Sequence, residues 1–275
     1  MAYEGYECFR VRIDHGVAFV TIDHPPINLF DVALIQELDR LGVALEADDA
    51  VRAVVFASAN PDFFIAHADV ALIQTLPSEP PPKPTRLGIF HRMVDRFRTM
   101  PKATIGQIEG RARGGGSEFL LSLDMRFAAI GRAILAQPEV ALGIIPGGSG
   151  TQRLARLMGR GRALEVILGC HDFDAEAAAR YGYVNRALPA DEIAPFVERL
   201  AYRIASFPAE AIALAKAAVA AAELPTFEGL LEEADCFNRA VATPAARERM
   251  AAFLAAGGQT REAELDLDRL VTRLG

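Results

Sequence analysis

The segment 110-GRARGGGSEFLLSLD-124 sets three consecutive glycines, Gly114 to Gly116, two residues ahead of Glu118 and then enters an apolar stretch. A glycine-rich turn that opens a helix leaves backbone N–H groups without intrahelical acceptors. With no Cβ in the way, a ligand oxygen can come close to those donors, and the helix dipole adds partial positive charge. Such a turn can bind phosphate or stabilise an oxyanion. Phosphate fits less well, because the Gly-Lys-Ser/Thr of a P-loop is missing and GRARGGG does not match the GxGxxG of a dinucleotide turn. An oxyanion holder with an acid one helical turn away suits chemistry at the carbon next to a carbonyl: enolate formation, proton transfer or conjugate addition. Taken alone, GGGxE reads more readily as a tight turn packing a helix on a strand, with Glu118 on a solvated face.

Two further stretches change that balance. The loop 60-NPDFFIAHADV-70 follows an apolar run, and 136-AQPEVALGIIPGGSGTQRL-154 brings a second acid, Glu139, behind Pro138. On its own Glu139 could cap a helix after a proline-fixed turn. The histidines at 15, 24, 91 and 171 lack metal-ligand spacing, so no metal site is expected. Ser149, in GGSGTQ, resembles a nucleophile elbow only loosely and is better placed as a turn and helix start.

The elements that must position these residues follow from periodicity. CFRVRID and GVAFVTID are short β-rich runs split by His15-Gly16, which predicts a hairpin. Leu34, Leu38, Leu41 and Leu45 have helical spacing after a candidate cap, Asp31. VRAVVFAS suits a buried strand, and KATIGQIEG and DMRFAAI predict two more. Alternating strands and helices predict an α/β layered fold with a partly parallel sheet. From about residue 143 the chain turns Ala-rich and helix-patterned. The segment 77-PSEPPPKPT-85, with five prolines, can continue neither helix nor sheet interior and is expected to be a loop.

Composition narrows the function classes. The 275 residues are 51% hydrophobic, enough for a sizeable core, and carry a formal net charge of −7. That sign disfavours nucleic acid and anionic membranes as partners. Three well-separated cysteines, at 8, 170 and 236, suggest neither a disulfide framework nor a zinc site, and a reducing compartment fits better. The start, MAYEGYECFRVRID, has no basic stretch leading into an apolar one, and no run approaches the ~18 apolar residues of a membrane span. A soluble cytoplasmic protein is the expectation.

With all three stretches in view, in this order and spacing, the sequence resembles the enoyl-CoA hydratase/isomerase (crotonase) superfamily from the first hairpin to about Leu188. QPEVALGIIPGGSGTQRL is the most specific match, GGGSE a moderate one and FFIAHAD a partial one. The resemblance implies a crotonase-like spiral of ββα units over residues 1–200 and a mostly helical trimerisation region over 201–275. It implies a homotrimer or homohexamer and an acyl-CoA thioester as substrate, with no separate cofactor because CoA is part of the substrate. The oxyanion hole would be the backbone N–H groups of Ala68 and Gly115. Glu118 would mainly activate water and Glu139 supply the proton to Cα. Ala66, His67, Asp69, Gly114 and Gly147 would contact the substrate. Two glutamates favour a hydratase over a double-bond isomerase, since isomerases commonly keep only the acid at the Glu139 position. Another acyl-CoA reaction, or a non-catalytic CoA-ester-binding or assembly protein, are the alternatives.

Departures from the pattern matter too. His67 stands where the family usually has glycine. Its ring would either narrow and polarise the thioester end of the site or, as the simpler reading has it, point away. Arg111 and Arg113 replace uncharged residues and are expected at a surface or interface, with contact to a CoA phosphate as the second option. The tail from Thr243 departs from the usual ending, so contacts from it to CoA cannot be carried over, and the proline-rich loop leaves the acyl-chain preference unread.

Overall fold

The computed structural model describes residues 3–221 and 227–272 of the chain. The expected hairpin opens it: β1 (Phe9–Asp14) and β2 (Val17–Ile22) pair antiparallel. His15 and Gly16 both take positive φ, +45° and +78°, as a two-residue type I′ turn requires. Helix α1 (Val32–Ala47) follows, capped by the Asp31 carboxylate accepting from Leu34 N and buried through Leu34, Leu38, Leu41 and Leu45.

Three successive passes of the chain then repeat one arrangement. In each, one strand joins a large sheet, a second joins a small sheet, and helix follows. The first pass is β3 (Ala53–Ser58), β4 (Phe63–Ile65), α2 (Val70–Gln74) and α3 (Ile89–Thr99). The second is β5 (Ala103–Ile108), β6 (Arg111–Arg113) and α4 (Gly115–Leu121). The third is β7 (Met125–Ala129), β8 (Ile134–Ala136), a 3-10 turn (Glu139–Leu142), α5 (Gly150–Met158) and α6 (Arg160–Gly169). The remaining strands, β9 (Phe173–Asp174) and β10 (Arg186–Leu188), flank α7 (Ala175–Tyr181). The large sheet runs β1-β2-β3-β5-β7-β10 and the small one β4-β6-β8-β9. β2, β3, β5, β7 and β10 run parallel to one another, as do β4, β6 and β8, while β9 is antiparallel to β8. This is a spiral of ββα turns. No helix or strand interrupts the expected loop at 77–85.

The main core lies between the two sheets and α1, α3 and α4, with Phe30, Phe56, Phe97 and Phe119 in edge-to-face contact. Helix α8 (Ile193–Ala205) covers the other face of the large sheet through Ile193, Val197 and Ala201. Helix α9 (Ala209–Ala220) has no buried residue, although it is almost wholly apolar. The tail forms α10 (Phe227–Val241), α11 (Pro244–Ala255), α12 (Arg261–Leu265) and α13 (Leu267–Thr272). Its Met250, Phe253, Leu267 and Val271 pack on Val70, Leu142 and Ile144 of the spiral. No described helix is long and apolar enough to cross a membrane.

Candidate active site

The three sequence stretches meet because β4, β6 and β8 are neighbours and parallel. Each stretch leaves the same end of the small sheet: 66–69 after β4, 114–116 after β6 and 137–139 after β8. The register is tied by backbone bonds, Arg113 N to Ala66 O at 3.1 Å and Gly114 N to Ala136 O at 3.0 Å.

Glycine is required at this junction. Gly114 has φ +47°, and a Cβ there would stand 2.8 Å from Glu139 Oε1. A Cβ on Gly116 would stand 2.2 Å from the Ile65 carbonyl oxygen, so α4 can lie against β4 only without one. This close approach brings the backbone of Gly115 beside Ala68, where a Cβ on Gly115 would be 3.4 Å from Ala68 N. Among the described residues neither Ala68 N nor Gly115 N has a hydrogen-bond acceptor. Two unpaired amides side by side are the donors that an oxyanion needs.

Both acids are buried. Glu118 Oε1 accepts from Gly148 N and Gly150 N, each at 2.7 Å, at the start of α5. Glu139 opens the 3-10 turn. The Gln137 amide, with its nitrogen toward that acid, donates to both Glu139 oxygens at 3.2 and 3.1 Å while its oxygen accepts from Ser117 Oγ. Ser117 Oγ in turn lies 2.6 Å from the buried Tyr183 hydroxyl. Burial pushes the Glu118 carboxyl up to about 8, with the Glu233 charge adding to the rise and the two donated amides opposing it. Burial and the nearby Glu118 charge push Glu139 well above the ordinary carboxylate range. Both carboxyls thus hold protons to higher pH than an exposed acid, and being coupled they titrate as a pair. Two buried carboxyls that can exchange protons near neutral pH suit general acid and base chemistry.

A cavity of about 30 Å³ lies against this junction, lined by His67, Ala68, Gly115 and Glu139 on one side and by Phe253, Leu267 and Val271 of the tail on the other. It has room for a water or two and not for an acyl chain. Of the residues expected to contact substrate, His67 and Gly114 line this cavity, and Ala66, Asp69 and Gly147 do not. Ala66 is buried between Ile27 and Phe63. The Asp69 carboxylate caps α2 through Ala71 N and accepts from Gln259 Nε2. Gly147 lies under the Phe237 ring.

His67 does not point away. Its backbone avoids positive φ, and its ring makes two contacts, Nδ1 with Ala68 O at 2.8 Å and Nε2 with Glu264 Oε1 at 2.9 Å. Burial pushes the imidazole pKa down, but the Glu264 carboxylate more than offsets this and leaves it above 6.5. Burial likewise acts upward on Glu264, and the imidazolium outweighs it. Both ring nitrogens face acceptors, which only the doubly protonated ring satisfies.

The surface placement expected for Arg113 is corrected. The side chain is fully buried, donating to both Asp172 oxygens at 2.7 Å and to Glu264 O at 2.8 Å. A fork of five donors tolerates burial when a carboxylate and a carbonyl occupy it. Arg111 donates to Leu265 O. Both arginines thus fasten the tail to β6. Neither Glu233 nor Glu264 was singled out by sequence, and their partners lie 84 and 197 residues away.

Comparison with known proteins agrees with this geometry. The Enoyl-CoA hydratase/isomerase family profile matches residues 12–259. The chain is 33% identical over 252 residues to crotonyl-CoA hydratase of Syntrophomonas wolfei subsp. wolfei, covering 90% of this chain and 95% of that protein. It is 32% identical over 240 residues to the short-chain-enoyl-CoA hydratase of Clostridium acetobutylicum, covering 86% and 91%. A crystal structure from Streptomyces avermitilis superposes with a TM-score of 0.88 at 40% identity, covering 98% and 99%.

Proposed function

This chain belongs to the enoyl-CoA hydratase/isomerase family, and we propose that it adds water across the 2,3 double bond of a 2-enoyl-CoA thioester. The observation that carries the reading is the pair of buried carboxyls, both with raised proton affinity, beside two unpaired amides. In this reading the thioester carbonyl oxygen sits on Ala68 N and Gly115 N. Water attacks Cβ as Glu118 takes its proton. The C=C electron pair moves onto the carbonyl oxygen as an enolate, and Glu139 then gives its proton to Cα while the C=O re-forms. Proton exchange between the two acids and solvent restores the starting state. Losing one such donor costs ~3–4 kcal/mol in comparable sites. No separate cofactor enters, because CoA arrives with the substrate.

Leu214 and Val219, more than 60% exposed on the otherwise apolar α9, support assembly through that helix into a trimer or a dimer of trimers. Residues 201–275 are then an assembly region that also closes the site over the 1–200 core. Three free cysteines are compatible with a cytoplasmic setting.

The test is loss of conjugated-thioester absorbance when purified protein meets crotonyl-CoA, with the product identified as the 3-hydroxyacyl thioester. Glu118→Gln and Glu139→Gln should each abolish it. Absence of turnover across enoyl-CoA chain lengths would refute the reading, and a 3-enoyl-CoA gaining conjugation would replace it with isomerisation.

A further inference from the structure

A third buried carboxylate lies beside the pair, and the activity above gives it no task. Glu233, on α10, is 2% exposed. Its Oε1 accepts from Ser149 N at 2.5 Å, and its Oε2 accepts from Thr151 N at 2.9 Å and from the Thr151 hydroxyl. Glu118 accepts from Gly148 N and Gly150 N of the same turn. Four consecutive amides at the entry to α5 therefore alternate between two carboxylates, 148 and 150 to one and 149 and 151 to the other. The turn is not relaxed between them. Ser149 is a non-glycine residue at φ +107°, a conformation that persists only when its surroundings impose it.

We infer that Glu233 is a positioning residue for the proposed hydration, clamping the 148–151 turn so that Gly148 and Gly150 present their amides to Glu118. The inference rests on Glu118 being the base of that reaction. Releasing the turn from Glu233 would let Ser149 leave its strained conformation and swing the two amides off Glu118. The charge of Glu233 acts in the same place, since it is the second largest influence holding the Glu118 proton to high pH. The other charged or titratable groups around it are His91 on α3, at 3.3 Å, Glu139 on the 3-10 turn, and Arg153 on α5 with its Asp95 partner on α3. The clamp also ties the tail to the chemistry, because this α10 carboxylate holds the turn that donates to Glu118.

The test separates hydrogen bonding from charge. Glu233→Asp keeps the charge but draws the carboxylate back by one methylene. It should lower kcat about tenfold with KM within twofold and move the acid limb of the pH–kcat profile to higher pH, because Glu118 loses the amides that oppose its raised pKa. Glu233→Gln keeps one acceptor and removes the charge. It should lower kcat comparably and move the acid limb to lower pH by about half a unit or more. Isotope-edited infrared titration of the buried carboxyls, with Glu118→Gln assigning the band, should show the same acid shift without turnover. That readout tells failure of the clamp from failure of the proposed reaction, in which wild type itself turns over no enoyl-CoA. Wild-type kcat in both variants, or an effect confined to KM, overturns the inference, as does an unmoved Glu118 titration in Glu233→Gln. Should neither variant fold, Thr151→Val removes a single donor and must lower kcat at unchanged KM; unchanged kcat overturns the clamp.

Discussion

Replacing Glu118 with Gln should make the protein inactive and more stable, and the stability gain should depend on pH. The carboxyl is pushed from 4.5 to about 8 by burial first and by Glu233 second. The folded protein thus holds this proton to a higher pH than the unfolded chain does. Stability is then fully present below about pH 4.5 and declines as pH rises toward 8. At 1.36 kcal/mol per unit, the accumulated cost at pH 7 is on the order of 3 kcal/mol, against ~1 kcal/mol at pH 5. Gln has nearly the same shape, and its carbonyl oxygen can still accept from Gly148 N and Gly150 N, so the variant escapes the cost and keeps the contacts. For a chain of this size, roughly 2–4 °C of melting temperature accompanies each kcal/mol. Glu118→Gln should therefore melt about 6–12 °C above wild type at pH 7 and only a few degrees above it at pH 5. Hydration of crotonyl-CoA should fall by on the order of 10²–10⁴-fold or more. Differential scanning calorimetry at the two pH values and a steady-state assay on the same samples decide the matter. An equal shift at both pH values would mean that Glu118 is not a buried acid with a raised pKa, and retained turnover would mean that it is not the base.

Three further outcomes follow from the site. The His67–Glu264 pair is strongest between the two folded pKa values, Glu264 below 4.5 and His67 above 6.5; deuterium uptake over 259–272, corrected for intrinsic exchange, should rise as the pH climbs above 6.5 and the imidazolium is lost, and His67→Gln should flatten that rise. Phe253→Ala removes a ring that is 1% exposed and walls the cavity; it should cost ~3–5 kcal/mol in urea unfolding and raise kcat/KM for longer enoyl-CoA esters relative to crotonyl-CoA. Gly116→Ala forces a methyl onto the Ile65 carbonyl; turnover should drop at least tenfold as Gly115 N shifts from Ala68 N, and wild-type kinetics would show that the two amides do not act together.

How much of this was legible in the sequence depends on range. The hairpin, α1 with its Asp31 cap, and β3, β5 and β7 were readable because each is either a β-rich or apolar run of five or six residues or a full run of period 3.6. The strands that assemble the site were not. β4, β6 and β8 have three residues each, too few for any period to register. The glycine turn behind β6 could be picked out by its residue types, whereas the loops behind β4 and β8 gained a role only through resemblance; His67, Ala68, Gly114, Gly115 and Glu139 do come together. Arg113 misled because a charged side chain defaults to the surface unless its partners are known, and Asp172 and Glu264 O lie 59 and 151 residues on.

The surroundings of the two acids have the same long-range origin. Glu118 and Glu139 are alike in type and are both buried, so neither residue type nor burial distinguishes base from acid. What distinguishes them is the company each keeps. Glu118 receives two amides from the 148–150 turn, 30 and 32 residues downstream. Glu139 receives a neutral side-chain amide from Gln137, two residues upstream. Amides at a helix entry favour the charged form more than one polar side chain does, because the helix dipole adds to them. The glycines of GGSG are therefore part of the chemistry. They let backbone donors reach a carboxylate that a Cβ on Gly148 or Gly150 would meet at 2.6 and 2.9 Å. An alanine at either position should push Glu118 off its donors, raise its proton affinity further and slow the step in which it takes a proton from water.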